Sequence, residues 1–151
     1  MELDRSPNIA FLSTYPPREC GLATFTDDLV RELDKVEIID NPKVIAMSDN
    51  DYNYSSRVIM ELSQHDRESY TKIAKDINNS DIDLLVIEHE YGIFGGECGE
   101  YILDLVDNIQ IPFILTLHTV LPSPSEKQKE ILKDLGKKSA KIVTMAKNTI
   151  P

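Results

Sequence analysis

The 151-residue sequence has few basic residues and no long hydrophobic run, and each shortage excludes a class of protein. Sixteen Lys and Arg against 26 Asp and Glu give a net charge of −10, which argues against non-specific binding to nucleic acid or anionic membranes, because both need clustered basic residues. No apolar run approaches the roughly 20 residues that cross a bilayer, and the opening MELDRSPN lacks the basic and apolar regions of a signal peptide. We therefore expect a soluble, cytoplasmic protein without a transmembrane segment.

Cysteine and the common nucleotide motifs are also scarce. The only two cysteines, Cys20 and Cys98, lie far apart and form no CxxC pair, so neither a zinc module nor a disulfide framework is indicated, and we expect reduced thiols. The PPRECG loop that ends at Gly21 is not a GxGxxG fingerprint and lacks the GK[ST] of a Walker loop, which makes binding of NAD or ATP a weak interpretation. We predict no cofactor.

What the sequence does contain is an opening stretch, residues 8–33, that reads as strand, loop and helix. Residues 9–12 are too few for a helix and too apolar for a strand with one solvated face, so they predict a buried parallel strand. Pro16 and Pro17 end that strand, and Gly21 lets the backbone come close to a ligand. Apolar residues then recur at helical spacing. Unpaired amides and the helix dipole favour negative charge there, so this loop is a candidate anion site.

The same alternation continues along the chain. Residues 36–40 and 44–47 are predicted to form a second strand or a hairpin-like pair. The remaining predicted strands are residues 57–62, at an edge of the sheet, 83–88, Phe113–Leu117 and 141–145. The other predicted helices run from an Asp66 N-cap to Ile77, over residues 101–109, and from a Ser125 and Gln128 capping box to Leu135. This order predicts one α/β domain over residues 1–151, a Rossmann-like, doubly wound, mainly parallel sheet with helices on both faces.

The topology also predicts where a ligand binds. In an open α/β sheet, ligands lie beyond the carboxyl ends of the strands. Three segments should converge there, namely residues 14–21, 88–99 and 118–122. A mere connector is the alternative interpretation of the first loop, but its position after a strand and before a helix favours a ligand.

Two histidines and two carboxylates stand at these predicted strand ends. His89 and His118 both follow apolar strands, with Glu88 and Glu90 beside the first of them. Because imidazole titrates near neutrality and both donates and accepts hydrogen bonds, a functional role is as well supported as simple capping of the sheet. His89, Glu90 and His118 include metal-ligand types, but none of the spacings that mark zinc enzymes is present, so we predict no metal.

The segment after the strand predicted at residues 83–88 has two open interpretations. Gly95, Gly96 and Gly99 bracket a predicted helix start, where backbone amides can meet an anion or a sugar hydroxyl. The same glycines also allow a tight turn and close packing of the helix on the sheet, and the sequence does not separate the two. Tyr91 and Phe94 offer flat apolar faces for a sugar ring, and core packing explains them equally well.

Three sequence blocks together resemble a known family. TYPPRECGLATFTDDL, IEHEYGIFGGECGEYIL and ILTLHTVLPSPSEKQ, in this order, are similar to the N-terminal half of retaining glycosyltransferases of the GT-B fold, glycosyltransferase family 4. The resemblance covers nearly the whole chain and implies an acceptor-side domain, one half of a GT-B fold, in a hexosyltransferase. It implies as partners a nucleotide-sugar donor, a sugar or glycolipid acceptor, and a C-terminal donor-binding domain of the same protein. That domain is absent from the 151 residues, so we expect a fragment that is inactive alone.

The resemblance also implies roles for individual residues. His118 matches the histidine that contacts the transferred sugar, and is the implied catalytic residue. Gly21, with Cys20 before it, matches the loop near the donor phosphates. The implied acceptor-side residues are Glu88, His89, Glu90, Tyr91, Gly95 and Gly96. The implied reaction replaces a nucleotide diphosphate by an acceptor hydroxyl with retained anomeric configuration, through an oxocarbenium-like transition state. It does not require Glu88 and Glu90 to act as the carboxylate pair of a retaining glycosidase.

Two other functions stay open from the residues alone. One is a stand-alone α/β domain that binds an anion or nucleotide and acts as a regulator. The other, with less support, is a metal-dependent hydrolase centred on His89 and His118.

Overall fold

Six strands form one fully parallel sheet in the computed structural model, which describes residues 5–144. The strands are β1 (Ile9–Ser13), β2 (Lys43–Ser48), β3 (Val58–Ser63), β4 (Leu84–His89), β5 (Phe113–Leu117) and β6 (Lys141–Thr144). Their order across the sheet is β3-β2-β1-β4-β5-β6. This is the Rossmann order, in which the direction of winding reverses between β1 and β4. The predicted parallel α/β architecture is confirmed.

Helices cover both faces of the sheet, as predicted. They are α1 (Gly21–Leu33), α2 (Arg67–Asn78), α3 (Ile102–Val106) and α4 (Glu126–Lys138), with two short 3-10 turns, Tyr91–Ile93 and Glu97–Gly99, ahead of α3. On one face Val30 of α1 packs with Phe11 and Val44. On the other, α2, α3 and α4 bury Tyr70, Leu105 and Ile131 in the larger apolar cluster. None of the helices within residues 5–144 is long and apolar enough to cross a membrane.

Local hydrogen bonds explain where the helices begin. The Asp66 carboxylate accepts a hydrogen bond from the Glu68 amide at 3.2 Å, which starts α2 where predicted. At α4, Ser125 Oγ accepts from the Gln128 amide at 3.1 Å, and Gln128 Oε1 accepts from the Ser125 amide at 2.8 Å. This is the reciprocal capping box that the sequence predicts.

Some predicted elements differ from the structure. Residues 36–40 form turns, not a strand: the Val36 amide bonds to the Leu33 carbonyl at 3.0 Å and continues the end of α1. Ile38 is 74% exposed, so its β-branched side chain has no partner surface to pair with. The hairpin-like alternative is therefore wrong, and β2 lies parallel to β1. The predicted helix over 101–109 is only the five residues of α3. The predicted end of β6 at Met145 lies outside the described residues.

Candidate functional site

The carboxyl ends of β4 and β5 meet next to α1, beside the point where the winding of the sheet reverses. β4 and β5 pair in register, with Glu88 opposite Thr116 and His89 opposite Leu117. The amide of His118, the residue after β5, donates to the His89 carbonyl at 3.0 Å and so extends the ladder by one bond. This bond fixes the position of the His118 backbone at the end of the sheet.

His118 and Glu88 form the central contact of this edge. Glu88 Oε2 and His118 Nε2 are hydrogen-bonded to each other. The Glu88 side chain is 1% exposed, whereas that of His118 is 13% exposed. The ring of Phe25, from α1, meets the imidazole edge-on with centroids 4.7 Å apart. The imidazole is therefore held by a buried carboxylate and an aromatic ring, and still reaches solvent.

His89 does not join that contact, because consecutive residues of a strand point to opposite faces of the sheet. Its side chain is fully buried, against Tyr91 at 5.0 Å and Phe94 at 5.6 Å between ring centroids. Neither ring nitrogen has a hydrogen-bond partner among the described residues. Burial, with a smaller electrostatic contribution from the nearby His118, lowers the pKa of His89 from 6.5 to about 4. The two histidines predicted to share a cleft thus have different environments, and His89 is neutral at neutral pH.

Glu90 and Tyr91 belong to the turn that follows β4. Glu90 is half-buried, and its Oε2 accepts from the Gly92 amide at 3.1 Å, which caps the first 3-10 turn. The Tyr91 hydroxyl is buried and has no partner within residues 5–144. The Gln64 side-chain amide donates to the Gly92 carbonyl at 2.9 Å and ties this turn to the end of β3. The structure gives Glu90 a capping role and places neither side chain on His118.

Internal packing is sufficient to explain the glycines at 95 and 96. A Cβ on Gly95 would lie 2.1 Å from the Gln64 carbonyl oxygen, a contact that backbone cannot relieve. Gly96 has a φ of +80°, and a Cβ there would lie 2.6 Å from the Tyr101 ring. Both glycines let the connection between β4 and α3 lie directly on its neighbours, which is the packing interpretation that the sequence left open.

Gly21 is different from these two. It is the first residue of α1 and is exposed, and a Cβ on it would meet nothing within 4 Å. Before it, Cys20 Sγ accepts from the Ala23 amide at 3.4 Å and contacts Thr14 Oγ1 at 3.1 Å, so the cysteine caps the helix. Packing within residues 5–144 therefore does not require a glycine at position 21, whose open side faces outward.

Sequence reasoning missed two residues of this edge. Phe25 was one of the apolar residues of an amphipathic helix, and its position one turn after Gly21 was the available signal for its contact with His118. Arg18 lies in the loop before α1 and donates to the Met47 carbonyl at 3.0 Å, with Asp49 at 3.5 Å. No sequence pattern links Arg18 to the end of β2, because the two are brought together only by the parallel sheet.

Comparison with known proteins does not identify this site, so its function is argued from its geometry and chemistry alone. No protein-family model matches the chain, and no curated protein matches it significantly. Within residues 5–144, no group of three or more His, Cys, Asp and Glu side chains is arranged to hold a metal ion. What the geometry offers is a partly exposed imidazole held by a buried carboxylate, next to a helix whose first residue, Gly21, is open.

Proposed function

We propose that this chain forms the acceptor-side half of a retaining glycosyltransferase, which moves a sugar from a nucleotide-sugar donor to an acceptor hydroxyl. The observation that carries the proposal is the position of His118, which follows β5, is partly exposed and contacts Phe25. Phe25 lies one helical turn after Gly21 on α1. The sequence blocks that resemble glycosyltransferase family 4 contain these same residues.

The start of α1 suits the diphosphate of a donor. The first amides of a helix have no partner within it, and the helix dipole favours negative charge at that end. Because Gly21 has no side chain, and even a Cβ there would meet no atom of residues 5–144 within 4 Å, a phosphate group can approach the backbone closely. Negative charge that develops on the departing diphosphate would be stabilised there.

His118 suits the transferred sugar. Its Nε2 is bonded to Glu88, and Nδ1 has no partner among the described residues, so Nδ1 is free to bond a sugar hydroxyl. In the proposed reaction the bond between the anomeric carbon and the diphosphate breaks. The acceptor oxygen bonds to the same face of that carbon, and the acceptor proton leaves with the diphosphate. His118 orients the ring while this exchange takes place.

The proposal requires a second, donor-binding domain facing Gly21 and His118. It is tested by incubating the protein that carries both domains with a panel of nucleotide sugars and sugar or glycolipid acceptors. Release of a nucleotide diphosphate that depends on the acceptor supports it.

A stand-alone regulator that binds an anion or nucleotide is the second candidate, and the open start of α1 also favours it. The two differ in what the 151-residue chain does alone. Tight binding of a nucleotide or sugar phosphate to this chain in calorimetry supports the regulator, whereas a transferase half should bind weakly.

A further inference from the structure

We propose that Glu88 is a positioning residue, which holds the His118 imidazole with its proton on Nε2 and thereby presents Nδ1 as a hydrogen-bond acceptor to a hydroxyl-bearing substrate. The nature of that substrate rests on the proposed function. The state of the ring does not, because it follows from contacts within this chain.

The two ring nitrogens of His118 have different surroundings. Nε2 of His118 bonds to the Glu88 carboxylate. Nδ1 has no partner within residues 5–144, and it is not among the buried polar atoms that lack one, so it reaches solvent. The imidazole thus has one nitrogen inside the protein and one outside.

The contact with Glu88 determines which ring nitrogen of His118 carries the proton. An ionised carboxylate only accepts hydrogen bonds, so the nitrogen that faces it must carry the proton. In a neutral ring the other nitrogen then carries a lone pair. With Nε2 committed to Glu88, the exposed Nδ1 of His118 accepts a hydrogen bond from a ligand hydroxyl.

Several contacts restrain the orientation of the His118 ring. Glu88 is 1% exposed and sits on a central strand, paired on one side with β5. The ring of Phe25 packs against the imidazole in a T-shaped arrangement, and the backbone amide of His118 is bonded to β4. The ring is therefore held by two side chains and its own main chain. Orientation of this kind is what a positioned group contributes to a reaction.

Burial of Glu88 is itself an argument for this role. A buried carboxylate is costly unless it is paired, and apolar residues of similar volume commonly replace buried pairs without loss of stability. Its second oxygen, Oε1, is buried without a partner among the described residues, so its hydrogen-bonding capacity is not fully satisfied by the fold. The sequence resemblance implies that Glu88 contacts the acceptor. The structure instead points to an action through His118, because the carboxylate does not reach the surface.

The test is the protonation of the His118 ring in the 151-residue chain, read from long-range ¹H–¹⁵N NMR spectra at about pH 8, where an ordinary histidine is neutral. A His118→Gln variant assigns the resonances. In the wild-type chain we expect a protonated Nε2 and an unprotonated Nδ1. A proton on Nδ1, in the other tautomer or in the imidazolium, overturns the proposal.

Two variants of Glu88 separate positioning from a merely structural role. Glu88→Leu removes the acceptor at similar volume, and we expect a mixture of the two tautomers. Glu88→Gln keeps a side-chain oxygen that can accept a hydrogen bond from Nε2, so we expect the wild-type tautomer in this variant. If Glu88→Leu does not fold, Glu88→Asp replaces it, because the shorter side chain moves the carboxylate oxygens away from the ring. Glu97→Gln, at an exposed carboxylate in the connection before α3, is the matched control and should leave the ring unchanged. An unchanged tautomer in a folded Glu88→Leu or Glu88→Asp chain contradicts the proposal.

Turnover by the two-domain protein provides the functional readout. We expect Glu88→Leu to lower kcat about tenfold or more and Glu88→Gln to restore most of it, since misplacing a reacting group costs rate. If the wild-type protein releases no nucleotide, the proposed function fails while the tautomer result stands. If turnover is present and Glu88→Leu leaves it unchanged, the positioning role fails alone.

Discussion

Burial of His89 should make the stability of this chain depend on pH. The folded-state pKa of this histidine is about 4, against an ordinary 6.5, because burial disfavours the charged imidazole. Between these values the unfolded chain binds a proton that the folded chain does not, so the free energy of unfolding falls as pH falls from about 6.5 to about 4. The full difference between the two pKa values corresponds to a decrease of about 3 kcal/mol in the free energy of unfolding. Urea denaturation across that range measures it.

A His89→Leu variant isolates this effect from the titration of carboxylates. Leucine has no nitrogen to leave unpaired in the pocket of Tyr91 and Phe94. We expect it to match or exceed the wild-type chain in stability at neutral pH and to exceed it by a growing margin as pH falls towards about 4. A difference between the two proteins that does not vary with pH would contradict the buried, neutral state of His89.

Two glycines should respond in opposite ways to the same added methyl group. Gly95→Ala places its Cβ against the Gln64 carbonyl and should lower the free energy of unfolding by roughly 2 kcal/mol or more. Gly21→Ala meets no atom, so stability should stay level or rise by up to about 1 kcal/mol. In the two-domain protein, Gly21→Ala should still weaken binding of a nucleotide diphosphate, measured by calorimetry. Wild-type affinity in that variant would remove Gly21 from the phosphate site.

At the scale of elements, the buried hydroxyl of Tyr70 helps to hold the connection from β4 to α3 to the rest of the fold. Tyr70 of α2 donates to the Gln64 carbonyl and accepts from the Gly95 amide, both at 2.9 Å. Burial raises the pKa of Tyr70 to about 12, so the hydroxyl keeps its proton. The connection therefore depends on α2 as well as on its own short 3-10 turns.

We expect Tyr70→Phe to lower the free energy of unfolding by roughly 2 to 4 kcal/mol, because it leaves a buried amide and a buried carbonyl unpaired. Hydrogen exchange at the Gly95 amide should accelerate with it. Tyr52→Phe is the matched control: that hydroxyl donates to Asp49 at the surface, and its loss should cost under about 1 kcal/mol. Equal effects of the two substitutions would show that the Tyr70 bonds do not hold the connection.

At the scale of the whole molecule, the sheet could be predicted because its signals are local. Buried apolar runs such as residues 9–12, and caps such as Asp66, specify a strand or a helix start within a few residues. The strand predicted at residues 36–40 is not formed, because β-branched side chains form a strand only where another strand is available to pair with it.

The candidate site was predictable only in outline. Topology placed His118 and Glu88 at neighbouring strand ends, and the structure brings them into contact. The separation of Glu88 from His89 follows from strand alternation, but the fully buried environment of His89 depends on Tyr91 and Phe94 in the following connection. Such contacts between segments cannot be derived from one segment's pattern.

We propose that His118 belongs to the sugar-transferring site of a two-domain glycosyltransferase. The most direct measurement compares acceptor-dependent release of nucleotide diphosphate by the wild-type two-domain protein and by its His118→Ala variant, with folding of each checked by circular dichroism. We expect release from at least one nucleotide sugar and a loss of more than about tenfold in kcat in the variant, since an orienting contact to the sugar is removed. Release from no donor, or a His118→Ala variant that turns over like the wild type, would contradict it.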